Sequence, residues 1–269
     1  MELLKALFLG FIQGATEFLP VSSSGHLVLG SHILGFQEHS IIFDVMLHLG
    51  TLVSVVLVFR KELLAMVYAP FQWLNGSRAD DVRHYLFWDI YIVVATIPAV
   101  IVGFTFKDRI EHFFTSVFVV YLMLIITGSM MVLSRYAIDR NSKINGVRSF
   151  LIGCAQACAI MPGLSRSGST IFVGMLLGVN RETVAKFSFI MSIPAILGAA
   201  LLNLGEVIAH PPAADSLLNL AAGMVMSAIT GYLAIVLLFE VIRKNRLPWF
   251  GYYCFAVAGI GLTTLAFTN

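Results

Sequence analysis

Charge is what this 269-residue chain has least of: Asp, Glu, Lys and Arg together make up 12% of it. A soluble domain carries about 25%. A water-soluble fold of this length must cover its surface with charged groups. This chain cannot, because 58% of its residues are hydrophobic. That excludes a cytosolic enzyme, a secreted disulfide scaffold, a nucleic-acid module and a disordered hub, and leaves an integral membrane protein. Cysteine is scarce as well. Cys154, Cys158 and Cys254 all lie in apolar stretches, and no His or carboxylate completes a metal site beside the first two, so they read as small buried hydrophobes. The net charge of +2 is too small to imply a nucleic-acid partner. The start, Met1-Glu2, has neither a basic segment nor a small-x-small site, so no cleavable signal peptide is expected.

Long apolar runs are what the chain does have. A spanning helix needs about 20 mostly apolar residues. Six stretches qualify: 41–59, 85–106, 113–133, 187–205, 217–239 and 249–267. Two more apolar regions are interrupted. Residues 3–36 are broken by Glu17-Phe18-Leu19-Pro20 and then Ser22-Ser23-Ser24-Gly25-His26, and residues 149–178 are broken by the run from Pro162 to Thr170. Each half rises only part way through a bilayer at about 1.5 Å per residue. Such a break survives in lipid only where protein or a water-filled cavity surrounds it. Both regions therefore read as re-entrant helix hairpins. Residues 62–74, with Tyr68 and Trp73, read as an amphipathic or irregular segment along the interface.

The two breaks are related by a shift of 143 residues. Gly10 falls on Gly153, Gln13 on Gln156, Ser22 on Ser165, Ser24 on Ser167, Gly25 on Gly168 and Gly35 on Gly178. Three full spans follow each hairpin. Three is odd and a hairpin adds no crossing, so the second unit starts on the opposite side of the membrane. The expected fold is an all-α polytopic membrane protein with an inverted-topology repeat, each unit a re-entrant helix hairpin plus three transmembrane helices. The units are residues 1–148 and 149–269, in one membrane domain. Thirteen of the 17 Lys and Arg residues fall in segments 60–84, 134–148, 179–186 and 240–248, against Lys5, Lys107 and Arg109 on the other side. This bias puts the basic side in the cytoplasm and both termini outside. The hairpins then enter from opposite sides, and their tips can meet near mid-membrane.

Arg166 is the basic residue that remains, inside the second break. An Arg at membrane depth costs at least about 2.5–3.5 kcal/mol and normally faces a functional cavity. Each tip is followed by a half-helix whose first turn offers free N–H groups and a partial positive charge, which suits phosphate. Ser22, Ser24, Ser165, Ser167, Gly168 and Thr170 lie at these starts. A guanidinium can fork onto two phosphate oxygens. The plainer alternative is that the hydroxyls cap half-helices and Arg166 neutralises Glu17. Glu17 would repel a phosphate unless it holds a divalent cation, acts as general base or orients His26. Gln13, one turn earlier, could add an amide oxygen to a cation shell. Ser23 with His26 suggests a nucleophile and a proton partner. Asp44 and His48, four apart on the first span, read either as support for the site or as a polar interface. Asp89 reads as snorkelling at a span end, and Gln156 as an echo of Gln13.

The run Gln13-Gly14-Ala15-Thr16-Glu17-Phe18-Leu19-Pro20-Val21-Ser22-Ser23-Ser24-Gly25-His26 and the run Pro162-Gly163-Leu164-Ser165-Arg166-Ser167-Gly168-Ser169-Thr170 resemble the two signature motifs of the bacitracin-resistance family of undecaprenyl-diphosphate phosphatases. The resemblance extends over the whole chain in length, span order and both motifs. It implies hydrolysis of the C55 isoprenyl diphosphate to the monophosphate carrier and inorganic phosphate. It also implies a site on the outer face of the bacterial cytoplasmic membrane, a divalent cation such as Mg2+ or Ca2+, and the inverted-repeat fold. By the resemblance, Glu17, Ser23, His26 and Arg166 are catalytic, with Ser165, Ser167 and Thr170 as the hydroxyls flanking the arginine; Ser22, Ser24 and Gly168, at the half-helix starts, join these three as the expected substrate-binding residues. Glu17 and Gln13 hold the metal, and Gln13 is the less charged of the family's two options at its position. The expected partners are the lipid diphosphate and the bilayer, with no nucleic acid. The type-2 phosphatidic-acid phosphatases share short Ser-Gly-His and Ser-Arg pieces, but they need a His six residues after the Arg, where this chain has Phe172. The rival class is a transporter or flippase for an anionic or lipid-phosphate substrate, since inverted repeats with interrupted helices also suit alternating access.

Overall fold

The computed structural model of the chain describes residues 2–34, 41–106, 113–114, 116–209 and 214–268. Among these the architecture is all-helical, with a single isolated bridge between Ser142 and Val179. In chain order the helices are α1 (Glu2–Glu17), α2 (Ser23–Leu34), α3 (Ile41–Val58), α4 (Arg60–Leu74), α5 (Asp80–Thr105) and α6 (Val117–Leu133). They continue as α7 (Gly146–Cys158), α8 (Arg166–Leu176), α9 (Arg181–Ala209), α10 (Ala214–Arg243) and α11 (Pro248–Thr268). Helices α5, α6, α9, α10 and α11 are each long and apolar enough to cross a bilayer. Helix α3, at about 27 Å by its rise per residue, is a sixth candidate. This is a polytopic membrane protein.

The expected breaks and spans are found in order. α1 with α2 and α7 with α8 are the two short-helix pairs, and each pair packs on itself. The spans run longer than hydropathy suggested: α5 starts at Asp80 and α9 covers Arg181–Ala209, because polar residues continue a helix into the interface. Two segments differ from expectation. The third span begins its regular helix at Val117 rather than at 113, where the Ser116 hydroxyl accepts from the Val119 N–H and caps it. The segment read as amphipathic or irregular is the regular helix α4, bent 79° from α3. Residues 35–36 of the first expected hairpin, and Lys107 and Arg109, lie outside the described residues.

Small residues set the packing. Lipid supplies no hydrophobic force between helices, so close backbone approach has to supply the contact energy. On α1, Gly10 lies against the Gly223 backbone of α10. Gly14 lies against Ser227, Thr230 and Gly231 of the same helix, and Gly153 of α7 meets Ala95 of α5 in the same manner. The Ser54 hydroxyl donates to the Ala228 carbonyl at 2.7 Å, and Ser227 donates to Leu47 at 2.8 Å, tying α3 to α10. Phe18, Phe187 and Phe189 are fully buried at the centre, while outward faces carry exposed apolar side chains such as Val93, Ile101 and Leu233. The four basic segments meet at one end of the bundle. Lys186 pairs with Glu62 at 2.6 Å, Asn180 donates to Asp139 at 2.8 Å, and Arg243 reaches Glu182 at 3.3 Å.

A Cβ at position 14 would overlap the α10 backbone, whereas Gly103 has nothing within 4 Å. Gly14→Ala is expected to cost about 1–3 kcal/mol by overpacking and to lower the thermal midpoint in detergent. Gly103→Ala is expected to leave the midpoint unchanged or slightly raised.

Candidate active site

The first tip is built where α1 runs out. Glu17 ends the helix, Pro20 prevents its continuation, and the chain turns through Ser22 in the left-handed region at φ +71°. The Ser22 hydroxyl then accepts from the Gly25 N–H at 3.3 Å and caps the first turn of α2. The second tip turns through Gly163 at φ +91°, a position that excludes a side chain twice over, since a Cβ there would also strike the Val120 carbonyl of α6. Ser165 caps α8, its hydroxyl accepting from the Gly168 N–H at 3.1 Å. Thr127 of α6, fully buried, locks this tip. Its hydroxyl donates to the Gly163 carbonyl and accepts from the Ser165 N–H, each at 3.0 Å.

The tips touch. The Ser167 hydroxyl donates to the Leu19 carbonyl at 3.2 Å, and a Cβ on Gly25 would stand 3.1 Å from Gly163 Cα. Across this junction Arg166 Nη2 forms an ion pair with Glu17 Oε1. The other carboxylate oxygen, Oε2, accepts from the Ser23 hydroxyl at 2.5 Å and from Gln13 Nε2 at 2.9 Å, and His48 Nε2 stands 3.8 Å away. The side chain of Glu17 is 5% exposed and that of Arg166 18%. A buried charge is tolerated only when paired and hydrogen-bonded, and Glu17 meets both conditions. Two atoms are left over. Arg166 Nη1 and Gln13 Oε1 are buried and have no partner among the described residues.

A cavity of about 550 Å³ opens against this junction. Glu17, Ser22, Ser23, Ser24, Ser165 and Arg166 line it, as do Asp44 and His48 of α3. Its lining also includes apolar side chains, among them Ala195, Ile196 and Ala199 of α9. The cavity therefore offers a guanidinium, hydroxyls and the first turns of two helices, whose N–H groups have no intrahelical acceptors. It also offers apolar surface suited to hydrocarbon. An anion carrying an apolar tail fits both.

Of the residues singled out in the sequence, Glu17, Ser22, Ser23, Ser24, Ser165 and Arg166 come together at the cavity. Ser167, Gly168 and Thr170 do not line it. Ser167 ties the tips and Gly168 donates to its cap, while the Thr170 hydroxyl bonds the Arg166 carbonyl at 2.8 Å and Ser188 at 2.6 Å. Gln13 sits behind Glu17, fully buried. His26 is not beside Ser23's partner at all. Its Nδ1 bonds the Ser22 carbonyl and its Nε2 the Tyr253 hydroxyl, each at 2.8 Å. The imidazole at the carboxylate is His48. The Asp44/His48 spacing flagged it, but its Nδ1 bonds the Asp44 main-chain carbonyl at 2.8 Å. A carbonyl only accepts, so Nδ1 carries the proton and Nε2 faces Glu17. Thr127 had no signal in the sequence, since a lone Thr in an apolar span is commonplace. Asp89 lies within α5 rather than at its end. Gln156 is buried with both amide atoms unpartnered among the described residues.

Among the described residues no group of three or more His, Cys, Asp and Glu is arranged to hold a metal ion. The donors that fit a hard cation are the Glu17 carboxylate and the orphaned Gln13 Oε1. One carboxylate and one amide oxygen suit an ion whose remaining ligands are water and substrate phosphate, the usual manner of Mg2+, and not a closed protein cage.

The family model described as "Bacitracin resistance protein BacA" matches residues 6–260. The chain belongs to the BacA family. Curated relatives named undecaprenyl-diphosphatase cover it almost end to end. The protein of Rubrobacter xylanophilus is 43% identical, over 97% of this chain and 97% of its own. That of Methanobrevibacter smithii is 39% identical, over 96% and 95%. That of Parabacteroides distasonis is 40% identical, over 100% and 99%. In this BacA-family chain both matched motifs are the tips that meet at Glu17 and Arg166.

Removing one partner of a buried pair strands the other. Glu17→Ala is expected to destabilise the protein by about 3–5 kcal/mol. Glu17→Ala with Arg166→Ala should cost less than the sum of the two single substitutions, read from denaturation midpoints of all four proteins.

Proposed function

We propose that this chain hydrolyses undecaprenyl diphosphate to undecaprenyl phosphate and inorganic phosphate, recycling the carrier of cell-wall synthesis and conferring bacitracin resistance. The observation that carries the reading is the Ser23–Glu17–Arg166 group in the lining of a cavity that also has apolar side chains. The names of the relatives agree with it.

In the proposed mechanism Arg166 swings part of its guanidinium onto the terminal phosphate, using the unpartnered Nη1 first. The Ser22, Ser24 and Ser165 hydroxyls and the two helix starts hold the remaining oxygens. Ser23 Oγ attacks the terminal phosphorus and its proton passes to Glu17 Oε2, already in contact at 2.5 Å. The bond from phosphorus to the bridging oxygen breaks, and the lipid monophosphate leaves without needing a proton. Water then attacks the phosphoserine, giving its proton to His48 Nε2, while Glu17 returns the first proton to Ser23. Neutralising charge on a loose, metaphosphate-like transition state is the main task. A divalent cation, Mg2+ or Ca2+, held by Glu17 and Gln13 Oε1, supplies further charge neutralisation when bound. Glu17 thereby takes the proton-partner role that the motif suggested for His26.

The same reading includes two inverted repeats, residues 1–148 and 149–269. The two hairpins and the reciprocal packing of α1 on α10 and of α7 on α5 support it. It also includes a cytoplasmic location for the basic end and an outward-facing site in the bacterial cytoplasmic membrane, supported by the clustering of the four basic segments.

One observation favours a carrier as the second reading. A second cavity, of about 700 Å³, opens at the basic end, with Glu62, Trp88, Lys186 and Arg243 in its lining. Phe59 and Phe239 of that cavity meet Phe189 in tilted and edge-on contacts, and Phe189 in turn meets Phe18 at 5.4 Å, next to Glu17. A chain of aromatic contacts thus runs from the second cavity to the neighbour of Glu17.

Purified protein given farnesyl or undecaprenyl diphosphate is expected to release phosphate, and EDTA is expected to suppress the release. Arg166→Ala should lower kcat by at least about 100-fold while the protein still inserts. Rapid quenching should trap a phosphoserine that Ser23→Ala lacks. An active Ser23→Ala would mean direct attack by water. Lipid flux in proteoliposomes without phosphate release would favour the carrier.

A further inference from the structure

We infer that Tyr253 is a positioning residue for the first hairpin tip, acting through His26. The inference rests on the reading of Ser23 as nucleophile.

Ser22 is a non-glycine residue held at φ +71°, a conformation that costs an L-residue about 1–2 kcal/mol and persists only when its surroundings impose it. His26 imposes it. The Ser22 carbonyl accepts the His26 main-chain N–H at 3.1 Å and His26 Nδ1 at 2.8 Å. A carbonyl oxygen has no proton to give, so Nδ1 carries the hydrogen. The neutral ring then has its lone pair on Nε2, and that nitrogen takes the Tyr253 hydroxyl at 2.8 Å. The two rings also stack, with centroids 5.6 Å apart and planes 12° from parallel. Donation therefore runs one way, from Tyr253 to His26 to Ser22.

The next residue along is Ser23, whose hydroxyl meets Glu17. A side chain on α11 thus fixes, through one imidazole, the peptide that aims the nucleophile. Tyr253 does not act on substrate, since no residue of α11 lines the cavity among the described residues. The histidine of the first motif accordingly serves the reaction from behind the tip. Without the Tyr253 hydroxyl, Nε2 loses its donor, the ring can turn, and Ser22 can relax toward negative φ. Ser23 then leaves Glu17, while the Arg166 side of the cradle is unchanged.

The test is Tyr253→Phe, which keeps the stacked ring and removes only the hydroxyl, assayed with a farnesyl diphosphate substrate and the purified full chain. The expected result is a fall in kcat of about tenfold or more, with KM within twofold and an unchanged thermal midpoint. In a His26→Gln background the same change should have no further effect on kcat. Nitrogen-15 NMR of labelled imidazoles provides a readout independent of turnover. His26 should be an Nδ1–H tautomer in the parent and a mixture in Tyr253→Phe. A parent protein that releases no phosphate would defeat the proposed function. A Tyr253→Phe protein with parental kcat, or with an unaltered His26 tautomer, would overturn this inference while leaving that function standing.

Discussion

The contact between Glu17 and Arg166 is the constraint around which the rest of the molecule is organised. Each group sits at the end of a short helix in the buried junction of the two helix pairs, and neither charge is tolerable there alone. A carboxylate and a guanidinium brought to the same place offset each other's burial and, by doing so, join the two pairs. Ending two helices inside the protein leaves main-chain groups without helical partners. Ser22, Ser165 and Thr127 satisfy them with hydroxyls. The polar tips are thus affordable only as a pair.

That pairing also sets the chemistry. A site made to stabilise one buried ion pair has most of what is needed to stabilise a transferring phosphoryl group. It has donors fixed in place beside a buried carboxylate. The Ser23 hydroxyl lies on the carboxylate oxygen that Arg166 leaves free. The helix packing serves this geometry indirectly. Gly10 and Gly14 bring α1 hard against α10, and Gly153 brings α7 against α5, which holds the depth of each tip. A looser contact would move Glu17 and Arg166 relative to one another by more than an ion pair tolerates.

Much of the fold was legible. Six apolar runs and two polar interruptions are local properties, and the helices follow them closely. The ends were less legible, because hydropathy does not register a helix that continues into water, as α9 does at Arg181. Hydropathy leaves open, for a related reason, whether 62–74 is an amphipathic helix or irregular, and it is a helix. Arg60, Lys61 and Glu62 are good helix formers, and the bend at Phe59 lets them start a new helix along the surface. At the site, the motifs named the two elements that meet at Glu17 and Arg166 but assigned hydroxyls and histidines by proximity in the chain. Thr170 was expected at the anion and instead turns back onto its own helix and Ser188. His26 is three residues from Ser23, but its ring is taken up by the Ser22 carbonyl and the Tyr253 hydroxyl and not by Glu17.

By itself the sequence determined the membrane class, the two interrupted helices and the charged residues at their tips, because burial cost and helix termination depend on residue type and local order. Tertiary structure alone decided which imidazole meets the carboxylate. His48 lies 31 residues from Glu17 and reaches it because α3 packs beside α1. His26, nearer in the chain, is drawn instead to Tyr253, 227 residues away. A ring nitrogen bonds whatever donor or acceptor stands within about 3 Å, and that is set by how helices are stacked, not by their order along the chain.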